Sequence, residues 1–192
     1  QHERPKLFCG IYTHNAQRDF TRISALSYGW KCDGFLAFSS VTIPSLGMVG
    51  LLHKGDESYH NMVQKSRSIW SYIATHYIDQ FDYFHLGGDD MHVIVENMRS
   101  LLLECETEST NGKGRIFGHL ASKGVNNLFI RGGAGYTIDR EGLRKLHEYM
   151  PKCARDTIGF WEDNAISNCG HKLNLKFGDN RDTCTGQQRS HA

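Results

Sequence analysis

Four short stretches of the sequence carry the residue types best suited to chemistry. Gly87-Gly88-Asp89-Asp90 sets two carboxylates beside two glycines. Carboxylate oxygens are hard ligands for a divalent cation, glycines let a ligand come close to the backbone, and a cation so held would grip a diphosphate. Alone, the same string also reads as a tight turn closing a strand, with Asp bonding to its own backbone. Arg131-Gly132-Gly133-Ala134-Gly135-Tyr136 is a second glycine cluster. It has neither the spacing of a dinucleotide fingerprint nor the lysine of a phosphate-cradling loop, so by itself it reads as a tight packing turn. Glu162-Asp163 reads alone as the acidic first turn of a helix, and Gly178-Asp179-Asn180-Arg181-Asp182 as a polar turn.

The elements around these stretches decide whether they can meet. Residues 6–13, 34–39 and 48–52 are short apolar runs between polar neighbours, expected as buried parallel strands. A short helix is expected over 21–29 and a longer one over 58–79. In the longer one Met62, Ile69, Trp70, Ile73 and Tyr77 recur at three- and four-residue spacing, and Asp56 or Ser58 can cap its start. Residues 82–86 form a strand that runs straight into the glycines and acids, so Asp89 and Asp90 fall at the C-terminal end of a strand. Residues 93–105 then return to a strand end and a helix, and 106–114 have the composition of a surface loop. Beyond that loop come 115–118, 128–131, 136–138, a helix over 140–149, and the segment around Glu162-Asp163. Strand-helix alternation implies an α/β fold with a mostly parallel twisted sheet and helices on both faces. Such sheets bind ligands just beyond the carboxyl ends of their strands. The chain is expected to be one domain, 1–192, in two lobes of about 6–105 and about 115–192.

Composition narrows the partners. Of 192 residues 39% are hydrophobic and 22% charged, and 22 Lys+Arg against 21 Asp+Glu leave a formal net charge of +1. The field that would steer a polyanion is missing, so nucleic acid is not an expected partner. With only 3 prolines and as many as 10 Phe, 8 Tyr and 3 Trp, the chain is neither collagen-like nor disordered. No apolar run approaches the ~18 residues of a membrane span, and Gln1 stands where an initiator Met would, so any signal or anchor is expected outside these residues. The six cysteines, at 9, 32, 105, 153, 169 and 184, include no Cys-x-x-Cys pair, which disfavours a zinc ribbon or a thioredoxin-like site. Disulfides in an oxidising compartment and buried thiols in a reducing one fit them equally well. No Asn-x-Ser/Thr sequon is present.

Taken together, the order and spacing of these stretches resemble the glycosyltransferase family that contains core 1 β1,3-galactosyltransferase, the fringe proteins and the β1,3-galactosyl- and N-acetylglucosaminyltransferases. Within it the core 1 enzymes are most alike. The resemblance rests on DYFHLGGDDMHVIVENMR, on RGGAGY followed by a helix, on WEDNAISNC and on KFGDNRD, and it extends from about Leu7 to the last residues. It implies a GT-A-like fold, with a Rossmann-like nucleotide-sugar half over about 6–105 and an acceptor-binding, catalytic half over about 115–192.

The activity implied is metal-dependent, inverting transfer of a hexose. The nearest match is galactose passing from UDP-galactose, in β1,3 linkage, to a glycan or glycoprotein such as one bearing O-linked GalNAc. Residue by residue, the family's acidic triplet falls on Gly88, Asp89 and Asp90. The last of these is the carboxylate that contacts Mn²⁺ (or Mg²⁺) in relatives, while the first is lost to Gly88. A C-terminal histidine that completes the metal site falls, after a one-residue insertion, on His191. Asp163 matches the catalytic base, and Thr13, Lys65 and Asp89 match positions near the nucleotide. Glu162, Gly132, Gly133, Gly135 and Tyr136 are assigned to the sugar or acceptor pocket, Tyr136 offering either an aromatic face or core packing.

The same resemblance pairs Cys9 with Cys32 and Cys153 with Cys169, leaves Cys105 and Cys184 unassigned, and implies a Golgi-lumen enzyme anchored through an N-terminal segment and compatible with a homodimer. One relative in the family is a non-catalytic chaperone that lacks the acidic motif, and Gly88 could be a step toward such a loss. Retention of Asp90, Asp163 and His191 argues for the enzyme, because a binding-only protein needs neither a metal ligand nor a base.

Overall fold

The computed structural model describes residues 4–106, 111–122, 128–153 and 161–179. Seven strands form one sheet in the order β3-β2-β1-β4-β6-β5-β7. The first four in chain order, β1 (Leu7–Tyr12), β2 (Gly34–Ser39), β3 (Met48–Gly50) and β4 (Tyr83–Gly88), are all parallel. β6 (Leu128–Asp139) runs antiparallel to β4 and to β5 (Arg115–Ser122), and β7 (Lys176–Asp179) pairs parallel with β5.

Alternation along a strand sends neighbouring side chains to opposite faces. Leu7, Cys9 and Ile11 of β1 therefore enter one core, with Tyr83, Leu101, Leu102 and Phe117, while Phe8 enters the other, with Phe84, Trp70, Ile73 and Ile138. Helices cover both faces. α3 (Val95–Glu106) packs into the first core, while α2 (Met62–Tyr77), α4 (Arg140–Cys153) and α5 (Glu162–Lys172) pack into the second; α1 (Arg18–Ser27) connects β1 to β2. Among the described residues no helix is long and apolar enough to cross a membrane.

Ile69, Trp70, Ile73 and Ala74 line the buried face of α2 at the spacing read from the sequence. Its start differs from the expectation. The helix begins at Met62 after a short 3₁₀ turn, Tyr59–Asn61, and neither Asp56 nor Ser58 caps it with a side chain. The Asn61 amide instead donates to the carbonyls of Lys54 (2.7 Å) and Asp56 (2.8 Å), tying the preceding loop to the helix.

The glycine cluster is likewise no turn between two strands. β6 is continuous from 128 to 139, with Tyr136 opposite Gly118 and Arg131 opposite His119, so residues 132–135 bulge out of the ladder. Gly135 supplies the positive φ (+70°) that the bulge requires. Gly178 and Asp179, read from the sequence as the start of a polar turn over 178–182, end the strand β7; residues 180–182 lie outside the described residues.

Both expected disulfides are present. Cys9–Cys32 joins β1 to the segment before β2 (Cα–Cα 6.1 Å), and Cys153–Cys169 joins the end of α4 to α5 (5.7 Å). Cys105 is buried on α3, and Cys184 lies outside the described residues.

Candidate active site

β1 and β4 are neighbours in register, Tyr12 opposite Gly88, so the residues that follow them leave the sheet side by side. A cleft of about 750 Å³ opens there, beyond the carboxyl ends of the parallel strands. Thr13 and Gly88 to Asp90 form its floor, Glu57 to Lys65 one wall, and the β6 bulge with the start of α5 the other. Segments far apart in sequence thus face one space.

On the floor of the cleft, the Thr13 hydroxyl donates to Asp89 Oδ2 at 2.5 Å, and the Thr13 N–H donates to the Phe38 carbonyl at 2.9 Å. Lys65 is buried and its ammonium donates to the Thr13 carbonyl and to Glu57 Oε1. Burial works to raise the Glu57 carboxyl, but hydrogen bonds and charge from Lys65 and His53 outweigh it and hold it below the ordinary range. Lys65 therefore shapes the cleft wall through an ion pair.

Asp90 is exposed in the cleft while Asp89 is engaged by Thr13. Among the described residues no group of three or more His, Cys, Asp or Glu side chains converges on a metal position, and His191 lies outside them. The donor set still fits a small hard cation. Mg²⁺-like ions are commonly held by one or two carboxylates, with substrate phosphates and water supplying the rest. A cleft-facing Asp90 with Asp89 beside it is such a set.

On the opposite wall, α5 begins with Glu162 and Asp163, where negative charge complements the helix N-terminus. The Asp163 carboxylate is fixed by two backbone donors, Gly132 N–H to Oδ2 at 2.9 Å and Asn164 N–H to Oδ1 at 2.7 Å. A Cβ at Gly132 would lie 3.0 Å from Glu162 Oε1 and 3.2 Å from Asp163 Cβ, so the absence of a side chain there lets α5 dock against the bulge.

Glu162 is buried and accepts the Tyr136 hydroxyl at 2.9 Å; Tyr136 in turn accepts the Trp70 indole N–H at 3.0 Å. Burial pushes the Glu162 carboxyl up to about 7; the Tyr136 hydrogen bond works against this and the neighbouring Asp163 charge adds to it. Tyr12 lies between the two walls. Burial raises its phenol first, and then the charges of Glu162, Asp90 and Asp163, so it stays a protonated donor among these carboxylates.

The cleft thus gathers Thr13, Lys65, Asp89, Asp90, Gly132, Gly133, Glu162 and Asp163. Two expected pocket residues fall elsewhere. Tyr136 is a core residue, packed on Trp70 with ring centroids 5.7 Å apart, because its strand position turns it away from the cleft and into the second hydrophobic core. Gly135 does not line the cleft either; a Cβ there would lie 2.6 Å from His85 Nε2 and 2.7 Å from Met91 Sδ, so its role is packing under the bulge. Tyr12 and Tyr59 also line the cleft without having been named from the sequence, and Arg131 and Trp161, which open the RGGAGY and WEDNAISNC strings, line it without having been given a role. Tyr12 had a signal, since it ends a strand that points at the switch in strand order, and Trp161 had its place beside Glu162-Asp163; Tyr59 had none.

Several known proteins resemble the chain. Glycoprotein-N-acetylgalactosamine 3-beta-galactosyltransferase 1 of Xenopus laevis is 28% identical over 157 residues, covering 82% of this chain and 42% of the relative. Chondroitin sulfate synthase 3 of Homo sapiens is 25% identical over 134 residues, covering 66% of this chain and 14% of the relative. The chain therefore spans less than half the length of either. No family model matches it. Among solved structures, a glycosyltransferase involved in the glycosylation of the major capsid of PBCV-1 superposes with a TM-score of 0.56 over 91% of this chain and 81% of that one, at 9% identity. That likeness is one of fold, and it agrees with the GT-A-like sheet expected from the sequence.

Proposed function

We propose that this chain, which belongs with the β1,3-glycosyltransferases, is a metal-dependent inverting transferase moving a hexose, galactose from UDP-galactose, in β1,3 linkage to a glycan or glycoprotein acceptor. The observation that carries the proposal is the shared cleft: Asp89 and Asp90 at the end of β4 face Glu162 and Asp163 at the start of α5 across a space sized for a sugar nucleotide.

Transfer breaks the bond between the anomeric carbon and the diphosphate and forms one to the acceptor hydroxyl oxygen, whose proton must leave. Asp163, held in fixed orientation by Gly132 and Asn164, takes that proton as the general base. Asp90 would hold Mn²⁺ or Mg²⁺, with His191 as the further ligand. Bound there, the cation would neutralise charge growing on the departing diphosphate. Tyr12 and Thr13 close the floor beside the nucleotide, and Gly133, with open space where a side chain would stand, leaves room for a sugar against the backbone.

The same reading places the protein in the Golgi lumen, where disulfides such as Cys9–Cys32 persist, with an anchor outside these residues. Calorimetric titration of UDP with Mn²⁺ or with EDTA, followed by a transfer assay with UDP-galactose, tests the proposal. Protein that transfers no sugar while binding a partner glycosyltransferase would replace it with the chaperone-like reading.

Gly88→Asp, which restores the family's first acid, is expected to tighten Mn²⁺-dependent UDP binding several-fold. Gly88 is not among the glycines with positive φ, so the backbone admits a side chain. The new Cβ would lie 2.6 Å from Asp90 Oδ1, and that carboxylate can rotate aside. Titration of UDP into both proteins decides it, and unchanged affinity would mean that the local geometry differs from the family's.

Glu162→Gln separates the two acids through pH. The folded Glu162 pKa of about 7 lies above its ordinary 4.5, so the folded state holds the proton more tightly and this group's stabilising share is complete below 4.5. That share is lost as pH rises to 7, at a cost of up to ~3 kcal/mol above it. Gln keeps the hydrogen bond from Tyr136 and carries no such cost. Melting temperatures of variant and wild type are therefore expected to diverge between pH 4.5 and 7, with the variant the more stable at pH 8. Transfer should fall less than on loss of Asp163. A constant difference across this range would show that Glu162 titrates normally.

A further inference from the structure

Two aromatic side chains in the cleft have no part in the transfer chemistry. Tyr59, in the short turn before α2, and Trp161, the residue preceding α5, meet edge to face with ring centroids 6.1 Å apart and planes at 85°. Both line the cleft, yet Tyr59 is 65% and Trp161 52% exposed. Large aromatics left in water forgo the stabilisation that covering them would bring, and a pair of them beside carboxylates offers a ligand an apolar face and a polar edge at once.

We infer that Tyr59 and Trp161 form an aromatic seat for a pyranose ring of the acceptor, holding its hydroxyl beside Asp163. The inference rests on the transferase reading above. A pyranose has a face of C–H groups that stacks on aromatic rings and a rim of hydroxyls that needs hydrogen-bonding partners. The cleft supplies both, the two rings meeting across it and Arg131, Glu162 and Asp163 lining the wall that Trp161 shares. An acyl chain would cover those charged groups while offering them no hydrogen bond in place of the water it displaces.

Position separates acceptor from nucleoside. In an inverting displacement the base and the leaving diphosphate stand on opposite faces of the anomeric carbon. The ring next to Asp163 is therefore the acceptor's, and Trp161 lies two residues from Asp163 in sequence. Asp89 and Asp90, at the end of β4, mark the diphosphate side.

The test uses the full chain and the methyl glycosides of N-acetylgalactosamine, N-acetylglucosamine and galactose, titrated calorimetrically without donor and then used as acceptors. Trp161→Ala and Tyr59→Ala are each expected to weaken glycoside binding and raise acceptor KM by about tenfold, with the KM for UDP-galactose unchanged. Trp161→Phe should recover most of the loss. Trp30→Ala, at a tryptophan outside the cleft, should change nothing.

Wild-type affinity in both alanine variants overturns the inference, as does wild-type protein that binds none of the three glycosides. A loss falling on the donor KM overturns it too, by giving the rings to the nucleoside. Should the rings bind a glycoside that receives no sugar from any donor, the seat stands and the transferase reading falls. Transfer undiminished in both alanine variants has the opposite meaning.

Discussion

Asp163→Asn is expected to lower sugar transfer by ~10²-fold or more while UDP affinity stays near the wild-type value. The substitution keeps the size of the side chain and removes its ability to accept the acceptor's proton. The structure adds a second, smaller effect that must be separated from the first. Asp163 accepts one backbone N–H on each oxygen, from Gly132 and from Asn164, whereas an amide presents one oxygen and one NH₂ group. One of the two bonds is lost, at about 1 kcal/mol, and the melting temperature should fall by roughly 2–4 °C. Rates measured well below either melting temperature therefore isolate the chemical loss. Neighbouring residues on a helix point about 100° apart, so Glu162 cannot take over the position by a simple rotamer change. Transfer that survives in Asp163→Asn would remove the base from this residue; survival there with loss in Glu162→Gln would move it to the buried acid.

The sequence made the parallel half readable because each of its strands is a short apolar run and its long helix, α2, has a clear period. Phe8, Phe38 and Phe84 fall in one core and Leu7 and Ile11 in the other, as alternation requires. The β6 bulge was not readable. Three glycines in four residues suit a turn and a bulge alike, and only the register against β5, set by Arg131 opposite His119 and Tyr136 opposite Gly118, decides between them. That register also explains Tyr136. A one-residue step along a strand exchanges cleft for core, so a glycine string can be placed at a site while the aromatic ending it is not. Tyr59 and Trp161 escaped for a different reason: their contact joins two remote segments, and neither sits in a repeating pattern.

Chelation is expected to weaken UDP binding on the order of 10²-fold relative to Mn²⁺, the scale of removing a close opposite charge from a partly enclosed site, and Asp90→Ala should abolish that difference. Occupancy favours Asp90 over Asp89 as the ligand. Asp89 Oδ2 already accepts the Thr13 hydroxyl at 2.5 Å, and the Thr13 carbonyl and N–H are themselves committed to Lys65 and Phe38, so Asp89 is braced against the floor of the cleft. Asp90 projects into the cleft with its carboxylate beside the open face of Gly88. Asp89→Asn can still accept from Thr13, so it should weaken UDP binding several-fold and leave most of the Mn²⁺ dependence in place. His191→Ala should cut the dependence as far as Asp90→Ala does if that histidine is the second ligand. UDP that binds equally well in EDTA and in Mn²⁺ would sink the metal reading outright. Dependence that survives Asp90→Ala and disappears in Asp89→Asn would transfer the ligand role to Asp89.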